Sequence, residues 1–556
     1  MPRPAPSSAK PAATLNGATP STFAPFRHSA FRVLWSATIV SNFGGLVQAV
    51  AAAWLMTQLT TNATLIALVQ ASNTLPIMLF ALVSGALADI FDRRQIMMAA
   101  ILFMATMSAV LAGMAYLGAI TPWSLLAMTF LIGMGQALYN PPWQASMGDL
   151  VPRDDLPQAV TLNSVGFNLM RSVGPAAGGL IVAAAGAAVG FLVNAVSYIP
   201  LVFAMARWRP DYPPRTAARE PFVSAVGAGL RYVALSPHLV RVLVRAGAFG
   251  VSGTAVMALL PLVAKSHPEG GSLLFGLLLG FFGLGAILGA LTNARIRARL
   301  SNEAILRLGM IQFAGATAVL GYSDTVWIQA LALFPAGMSW VIVLSLFNVA
   351  VQLSTPRWVV ARALALYQTV AFGGMAAGAW LWGALAQAYG FEDALIMAAV
   401  GLLAAAALGI PLRMPEFSQS DLSPANRFRE PVLGLDLRGR SGPIMVMVDY
   451  HIAPEDTEEF LSLMVQRRDI RRRDGARAWV LLRDLEMPDH WSESYHIATW
   501  DDYIRHNTRR TVVDTDVTQA LHALHKGPGE PTVHRMIERH NASAHADVPL
   551  RGKLDV

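Results

Sequence analysis

Cysteine is absent from the chain, which excludes disulfides, thiolate metal sites and cysteine nucleophiles. Charge is scarce as well: Asp, Glu, Lys and Arg make up 14% of the 556 residues, against about 25% in ordinary soluble domains. No Asp, Glu or His falls in the central third of any long apolar run, so the usual buried proton carrier is missing. Residues 1–29 lack the apolar segment of a signal peptide, and their Pro, Ala, Ser and Thr read as a disordered tail. His451, His490, His496 and His506 are scattered without metal-ligand spacing, so neither a metal nor a cofactor is expected.

What the chain does hold is apolar sequence, 54% of residues with a mean hydropathy of +0.45. A span needs roughly 20 predominantly apolar residues. The pattern predicts twelve, near 32–56, 64–89, 95–117, 121–148, 158–185 and 187–206, then 238–264, 272–294, 302–321, 326–352, 361–387 and 393–413. The expected organisation is a tail (1–29), a first six-helix half (30–206), a linker (207–237) and a second half (238–414). A linker (415–441), a small charged domain (442–540) and a second disordered tail (541–556) complete it. Within 207–237, "PFVSAVGAGLRYVAL" has the pattern of a surface amphipathic helix.

Positive residues sit in alternate loops. Arg27 and Arg32 precede the first run, Arg93 and Arg94 follow the second, and Arg207, Arg209, Arg215 and Arg219 follow the sixth. Arg295, Arg297 and Arg299 follow the eighth, whereas "TQLTTNAT", "GAIT", "GYSDTV" and "YGFED" carry none, and Lys265 is the main exception on that side. The positive-inside rule therefore places both termini and the central loop in the cytoplasm of a multi-pass inner-membrane protein. The same loops account for the net charge of +7, so nucleic acid is not an expected partner.

The halves echo each other. "GALADIFDRR" (85–94) matches "GALTNARIRAR" (289–299), and "NPPWQ" (140–144) matches "NVAVQ" (348–352), at offsets of roughly 204 and 208 residues. Duplicated six-helix units belong to secondary transporters, with the site between the halves near the bilayer midplane. "GALADIFDRRQ" resembles the signature loop between spans two and three of the major facilitator superfamily, through Gly85, Asp89, Arg93 and Arg94; Asp92 stands where a glycine is usual. The resemblance implies a gating latch, for which Asp149 is the candidate carboxylate partner of the arginines.

"GPAAGG" resembles the superfamily's exporter-type Gly-Pro-x-x-Gly-Gly signature, through Gly174, Pro175, Gly178 and Gly179. Three glycines within six residues make a pliable face that can pack closely on a neighbouring helix. Arg171 lies about 13 residues into its run, roughly 20 Å deep at ~1.5 Å per residue, and reads either as a contact for a polar or anionic substrate or as a structural donor to carbonyls. The superfamily's span-four arginine is missing, and Thr129 stands near its place. Further candidates for the cavity lining are Asn42, Gln48, Gln136, Tyr139, Asn140, Asn163, Asn168, Asn348, Gln352, Tyr367 and Gln368, each also able to serve as an interhelical hydrogen bond.

From 442 the pattern turns to strand, helix, two strands and short helices, an order that looks like a ferredoxin-like α+β domain. "RRRDGARAWVLLRD" and "SESYHIATWDDYIRHNTRRT" resemble the tail of the transmembrane secretion effector, or enterobactin-exporter-like, subgroup of the superfamily. "NPPWQASMGDLVPRDDLPQAVTLNSVGFNLMRSVGPAAGG" resembles its first half. That tail is similar to small cofactor-independent monooxygenases of antibiotic biosynthesis. The expected protein is a twelve-span α-helical exporter of an amphipathic small molecule, of siderophore, drug or metabolite type, that works by alternating access with a proton as coupling ion. Its tail would serve self-association or docking. The alternatives are an importer or uncoupled facilitator, or a membrane anchor whose tail is the active part.

Overall fold

The computed structural model describes residues 23–538, apart from 91, 153–154, 210–221, 269, 357, 415–421, 424, 426–427 and 436. The side chains of 81–82, 85–90, 145, 157, 164, 168, 171–172 and 222–225 are also outside the description. The second expected tail (541–556) and most of the first fall outside these residues. The end of the first departs from expectation: Ala24–Arg27 form a 3-10 turn. The cause is aromatic packing, since the Phe26 ring meets Trp35 edge-on at 5.0 Å.

Long helices dominate. They are α1 (Ser29–Leu59), α2 (Ala63–Ile90), α3 (Arg93–Tyr116), α4 (Pro122–Leu150) and α5 (Leu156–Arg207). The short α6 (Phe222–Ala234) precedes α7 (Pro237–Ser266), α8 (Ser272–Arg297), α9 (Asn302–Tyr322), α10 (Val326–Leu353), α11 (Val360–Tyr389) and α12 (Phe391–Ala407). The 52-residue α5 is broken at Gly186, where φ 81° is a conformation open to glycine, and the chain reverses there. Caps start the helices where sequence chemistry allows. Asp92 accepts from the Arg94 amide at 2.8 Å to open α3, and Thr121 with Ser124 forms a capping box on α4. Among the described residues nine helices are long and apolar enough to cross a membrane: α1, α2, α3, the Val173–Arg207 part of α5, and α7 to α11.

Two cross-half seams hold the bundle together, α2 along α11 and α5 along α8. They are equivalent under the repeat. A Cβ on Gly383 of α11 would meet the Ala67 methyl of α2 at 2.6 Å, and one on Gly276 of α8 would meet the Pro175 carbonyl of α5 at 2.9 Å. The offset of about 208 residues read from the sequence relates these two contacts to within one residue.

The C-terminal domain comprises β1 (Ile444–His451), α13 (Thr457–Arg473), β2 (Arg477–Arg483), β3 (His490–Ile497), α14 (Trp500–Thr508), α15 (Val512–Leu524) and β4 (Thr532–Ile537). The sheet order is β2-β3-β1-β4, with every neighbouring pair antiparallel. Two β-α-β units sharing one sheet in this order make the ferredoxin-like fold. Ile444, Val446, Val448 and Tyr450 alternate inward along β1 to form a separate core with Phe460 and Met464 of α13. β4 is not among the expected strands: its side chains are nearly all exposed, so no alternation marks it.

Candidate functional site

Between the halves lies a cavity of about 350 Å³, lined by α1, α2, α5, α7, α8, α10 and α11. Its described lining carries no ionisable side chain. Polarity comes from Gln70, Asn73 and Thr74 on α2, at the i, i+3, i+4 spacing that shares one helix face. The Asn73 side-chain amide donates to the Val69 carbonyl at 3.1 Å and the Thr74 hydroxyl to the Gln70 backbone carbonyl at 3.1 Å, so the side-chain oxygens of Asn73 and Thr74 are left to accept from other donors. Trp340 supplies an aromatic wall, held by Phe249 at 5.4 Å and Phe313 at 5.9 Å. Phe167 and Pro175 of α5 complete the wall from the first half. Sequence reasoning overlooked the α2 triad and Trp340, although three polar residues on one face of an apolar helix are a legible signal.

Contacts between the two halves gather at the end of the bundle that carries the α1–α2, α7–α8 and α11–α12 turns. There a Cβ on Gly179 would come within 2.6 Å of the Ser272 carbonyl and 2.7 Å of the Gly276 Cα. The Ala63 amide donates to the Gln387 side chain at 2.7 Å, Lys265 donates to the Thr57 carbonyl, and Trp54 stacks on Phe275 at 6.5 Å. Each of these contacts joins the two halves. Gly174 and Gly178 instead seat α5 on Leu46, Val47 and Val50 of α1. The Gly-Pro-x-x-Gly-Gly face therefore binds one helix within its half and one across the seam.

The polar candidates read from the sequence divide into several places. Asn42, Tyr139, Asn140 and Asn163 share a second pocket of about 260 Å³ within the first half, between α1, α4 and α5. Tyr139 meets Thr38 at 3.4 Å, and the Trp143 indole donates to Asn163 at 3.3 Å. Gln136 donates to Asn140 at 2.9 Å. Gln48 does not join them: it is buried at 4% exposure and bonded to Asn194 and to Ser108, the latter at 3.0 Å. A buried amide in an apolar bundle must be satisfied, and this triad ties α1, α3 and α5 together. In the second half Gln352 bonds to Asn348, the Tyr367 hydroxyl donates to the Leu344 carbonyl at 3.3 Å, and Gln368 is half-buried; none of the four lines the central cavity. The side chains of Asn168 and Arg171 lie outside the described residues.

At the opposite end of the bundle the Arg93 guanidinium lies 3.4 Å from the Asp149 carboxylate. Arg94 turns elsewhere, donating to the Met205 and Ala206 carbonyls at 3.0 and 2.8 Å, where it caps the end of α5. Gly85 and Asp89 have side-chain positions outside the described residues. Their counterparts in the second half are placed: Asn293 donates to Ser345 at 2.9 Å, and a Cβ on Gly289 would meet the Met338 carbonyl at 2.7 Å. A further ionic site escaped sequence reasoning. Arg245 of α7 is fully buried and pairs with Glu303, which also accepts from Arg307 at 2.7 Å and from the Met414 amide at 2.9 Å. This cluster pins the starts of α7 and α9 to the chain leaving α12.

A duplicated helical bundle around a cavity between its halves, with close glycine contacts joining the halves, has the form of a secondary transporter of the major facilitator type. Residues 20–543 match the family described as transmembrane secretion effector, and the chain belongs to that family. It is 23% identical to the multidrug efflux pump Tap of Mycolicibacterium fortuitum over 70% of this chain and 96% of that one. Its identity to the enterobactin exporter EntS of Escherichia coli O1:K1 is 27%, over 55% of this chain and 72% of the exporter. Among solved structures it is similar in fold to a bacterial homologue of the human lysosomal transporter Spinster, inward-facing and unoccupied. The TM-score is 0.57 at 14% identity, covering 71% of this chain and 98% of the other. The protein is thus a multi-pass membrane transporter that handles a small-molecule substrate.

Proposed function

We propose that the protein exports an amphipathic small molecule across the inner membrane by alternating access. The observation that carries this reading is the neutral cavity, whose walls are aliphatic and aromatic and whose polarity is confined to the α2 amides and Thr74. Such a lining suits a substrate with an extended apolar surface and a few hydrogen-bonding groups. The likeness to efflux and siderophore-export proteins supports the outward direction over uptake.

In this reading twelve spans cross the bilayer: the nine apolar helices, α4, the first arm of α5, and α12, which is 17 residues long. Polar side chains that face an internal pocket lower the mean hydropathy of α4 without barring it from the membrane. Both termini and the C-terminal domain lie in the cytoplasm, as the positive loops require. The glycine seam then closes the outer end, leaving a cytoplasm-facing state ready to load. The Arg93–Asp149 pair, together with Asp89, forms the latch that engages when the halves rock. Proton coupling falls to these carboxylates, because the described cavity lining has no titratable group. Arg171 is assigned a substrate or gating role. The C-terminal domain is assigned a docking role and no catalysis.

Inverted vesicles test the proposal. Vesicles containing the protein are expected to accumulate a fluorescent amphipathic dye or a siderophore, with Asn73→Leu and Trp340→Ala each cutting the rate severalfold at equal expression. Export that disappears only when 430–556 is removed, with cavity variants unaffected, would transfer the activity to the tail and overturn the reading.

A further inference from the structure

A third cavity, of about 520 Å³, opens inside the C-terminal domain between the β1-β3-β4 face of the sheet and helices α13, α14 and α15. Five arginines line it: Arg429, Arg467, Arg471, Arg510 and Arg535. Arg467 and Arg471 are 4% and 2% exposed and share one buried carboxylate, Glu493, at 3.5 and 3.1 Å. Although burial pushes the Glu493 carboxyl up, Arg471 and Arg467 hold it down at about 2, so it is ionised and already committed. Among the described residues no carboxylate lies within ion-pair distance of Arg429, Arg510 or Arg535.

The side-chain hydrogen bonds of Arg510 and Arg535 go to neutral groups, and Arg467 adds one such bond to its Glu493 pair. Arg510 donates to the Asn507 side chain, Arg535 to the Tyr503 hydroxyl at 2.6 Å, and Arg467 to the Thr518 hydroxyl at 2.6 Å. Burial, then Arg471 and Arg467, push Arg510 down to about 9, the direction expected of a cation enclosed with like charges. Enclosed guanidiniums outnumber their carboxylates only at a cost to the folded domain. An anion offsets that cost. Glu530 is the one acidic residue among the described lining, at the rim.

We propose that this cavity is a binding site for a small organic anion with at least two negative charges, such as a polycarboxylate or a phosphate ester, held by Arg510, Arg535, Arg467 and Arg471. Forked guanidiniums match carboxylate and phosphate oxygens in pairs. The Tyr495 and Tyr503 rings flank the arginines and accept a flat organic body; the Arg471 guanidinium already lies 4.3 Å from the Tyr495 ring. The site is independent of the transport cavity in chemistry, one being neutral and apolar, the other cationic. It is also linked to the membrane part, because α13 carries Arg467 and Arg471 inward and, at its end, Arg473 against the Tyr232 ring of α6 at 5.0 Å.

Calorimetry on the full chain in nanodiscs tests the site without any transport, so failure here leaves the export reading untouched. Citrate and pyrophosphate serve as probes for the two chemistries and acetate as the monovalent control. At least one divalent-or-higher anion is expected to bind saturably and more than about tenfold tighter than acetate. Arg510→Gln and Arg535→Gln are each expected to weaken it about tenfold or more, whereas Arg505→Gln, already paired with Asp502 outside the cavity, leaves it within about twofold. Binding of citrate alone assigns a polycarboxylate, and of pyrophosphate alone a phosphorylated ligand. Absence of saturable binding by both, or binding unchanged in the folded Arg510→Gln and Arg535→Gln proteins, overturns the proposal. Should Arg510→Gln fail to fold, Arg510→Lys keeps the charge and is expected to bind more weakly than the parent chain.

Discussion

Arg509 holds its guanidinium 4.2 Å from the centroid of the Trp358 ring, and Trp358 in turn receives Tyr232 edge-on at 5.6 Å. With Arg473 over Tyr232, two cations of the C-terminal domain rest on two aromatic residues of the helical body, Tyr232 of the linker helix α6 and Trp358 of the α10–α11 turn. Cation–π pairs contribute roughly 0.5–2 kcal/mol each. Trp358→Ala is therefore expected to raise amide exchange across α14 severalfold while the β1-β3 ladder keeps its protection. Unchanged exchange at α14 would mean that docking does not depend on this ring.

The seam at Gly179 should tolerate no side chain. A Cβ there meets the Ser272 carbonyl and Gly276, both backbone, so relief requires the helices to part. Overpacking of this kind costs about 1–3 kcal/mol, enough to move a two-state equilibrium by roughly 5- to 150-fold. Gly179→Val is expected to open the outer end and stop export. Because the chain has no native cysteine, a single Gln70→Cys reporter reads the change as faster labelling from outside. Labelling at the parent rate would remove the seam from the gate.

The buried Arg245–Glu303 pair separates two effects. Arg245→Ala leaves Glu303 with only Arg307 and the Met414 amide as partners and should destabilise the protein by about 2 kcal/mol. Replacing both partners with Leu and Gln should recover most of the loss. Thermal unfolding in detergent measures both variants, and an additive double mutant would show that the two residues do not act as a pair.

Acid should weaken the C-terminal domain through His506. Its Nε2 lies 2.9 Å from an Arg471 nitrogen, which can only donate, so Nε2 accepts and Nδ1 donates to the Asp474 carbonyl at 3.2 Å. Burial, then Arg471 and Arg510, hold its pKa well below the usual value, and Arg467 adds to them. The folded domain thus keeps His506 neutral while the unfolded chain protonates near ~6.5. Stability from this group is complete above that value and falls as pH drops below it. Chemical denaturation between pH 7.5 and 5 should show a declining midpoint, and His506→Gln should flatten the decline.

Much of the fold was legible because it rests on composition and spacing. Apolar runs marked the helices, Gly186 fell between two of them, and alternating apolar residues marked β1. The missing pieces share one cause. Gln48 and Asn42 lie on the same helix with similar chemistry, yet one is bonded to Asn194 and Ser108 and the other lines a pocket. Nothing local distinguishes them, since the difference is which neighbour each face meets. Arg245 passed unnoticed because Glu303, its partner, is on another helix.

The sequence by itself determined that this is a membrane transporter with a duplicated helical body and a small α+β domain, since hydrophobic length, loop charge and repeat offset are properties of the chain. Tertiary structure alone decided where its chemistry lies. Gly179 becomes a close contact between the halves only opposite Gly276, and Arg467, Arg471, Arg510 and Arg535 line one cavity only because the fold places α13, α14, α15 and β4 around a common space. Contacts between distant segments depend on packing geometry, which periodicity along a chain does not encode.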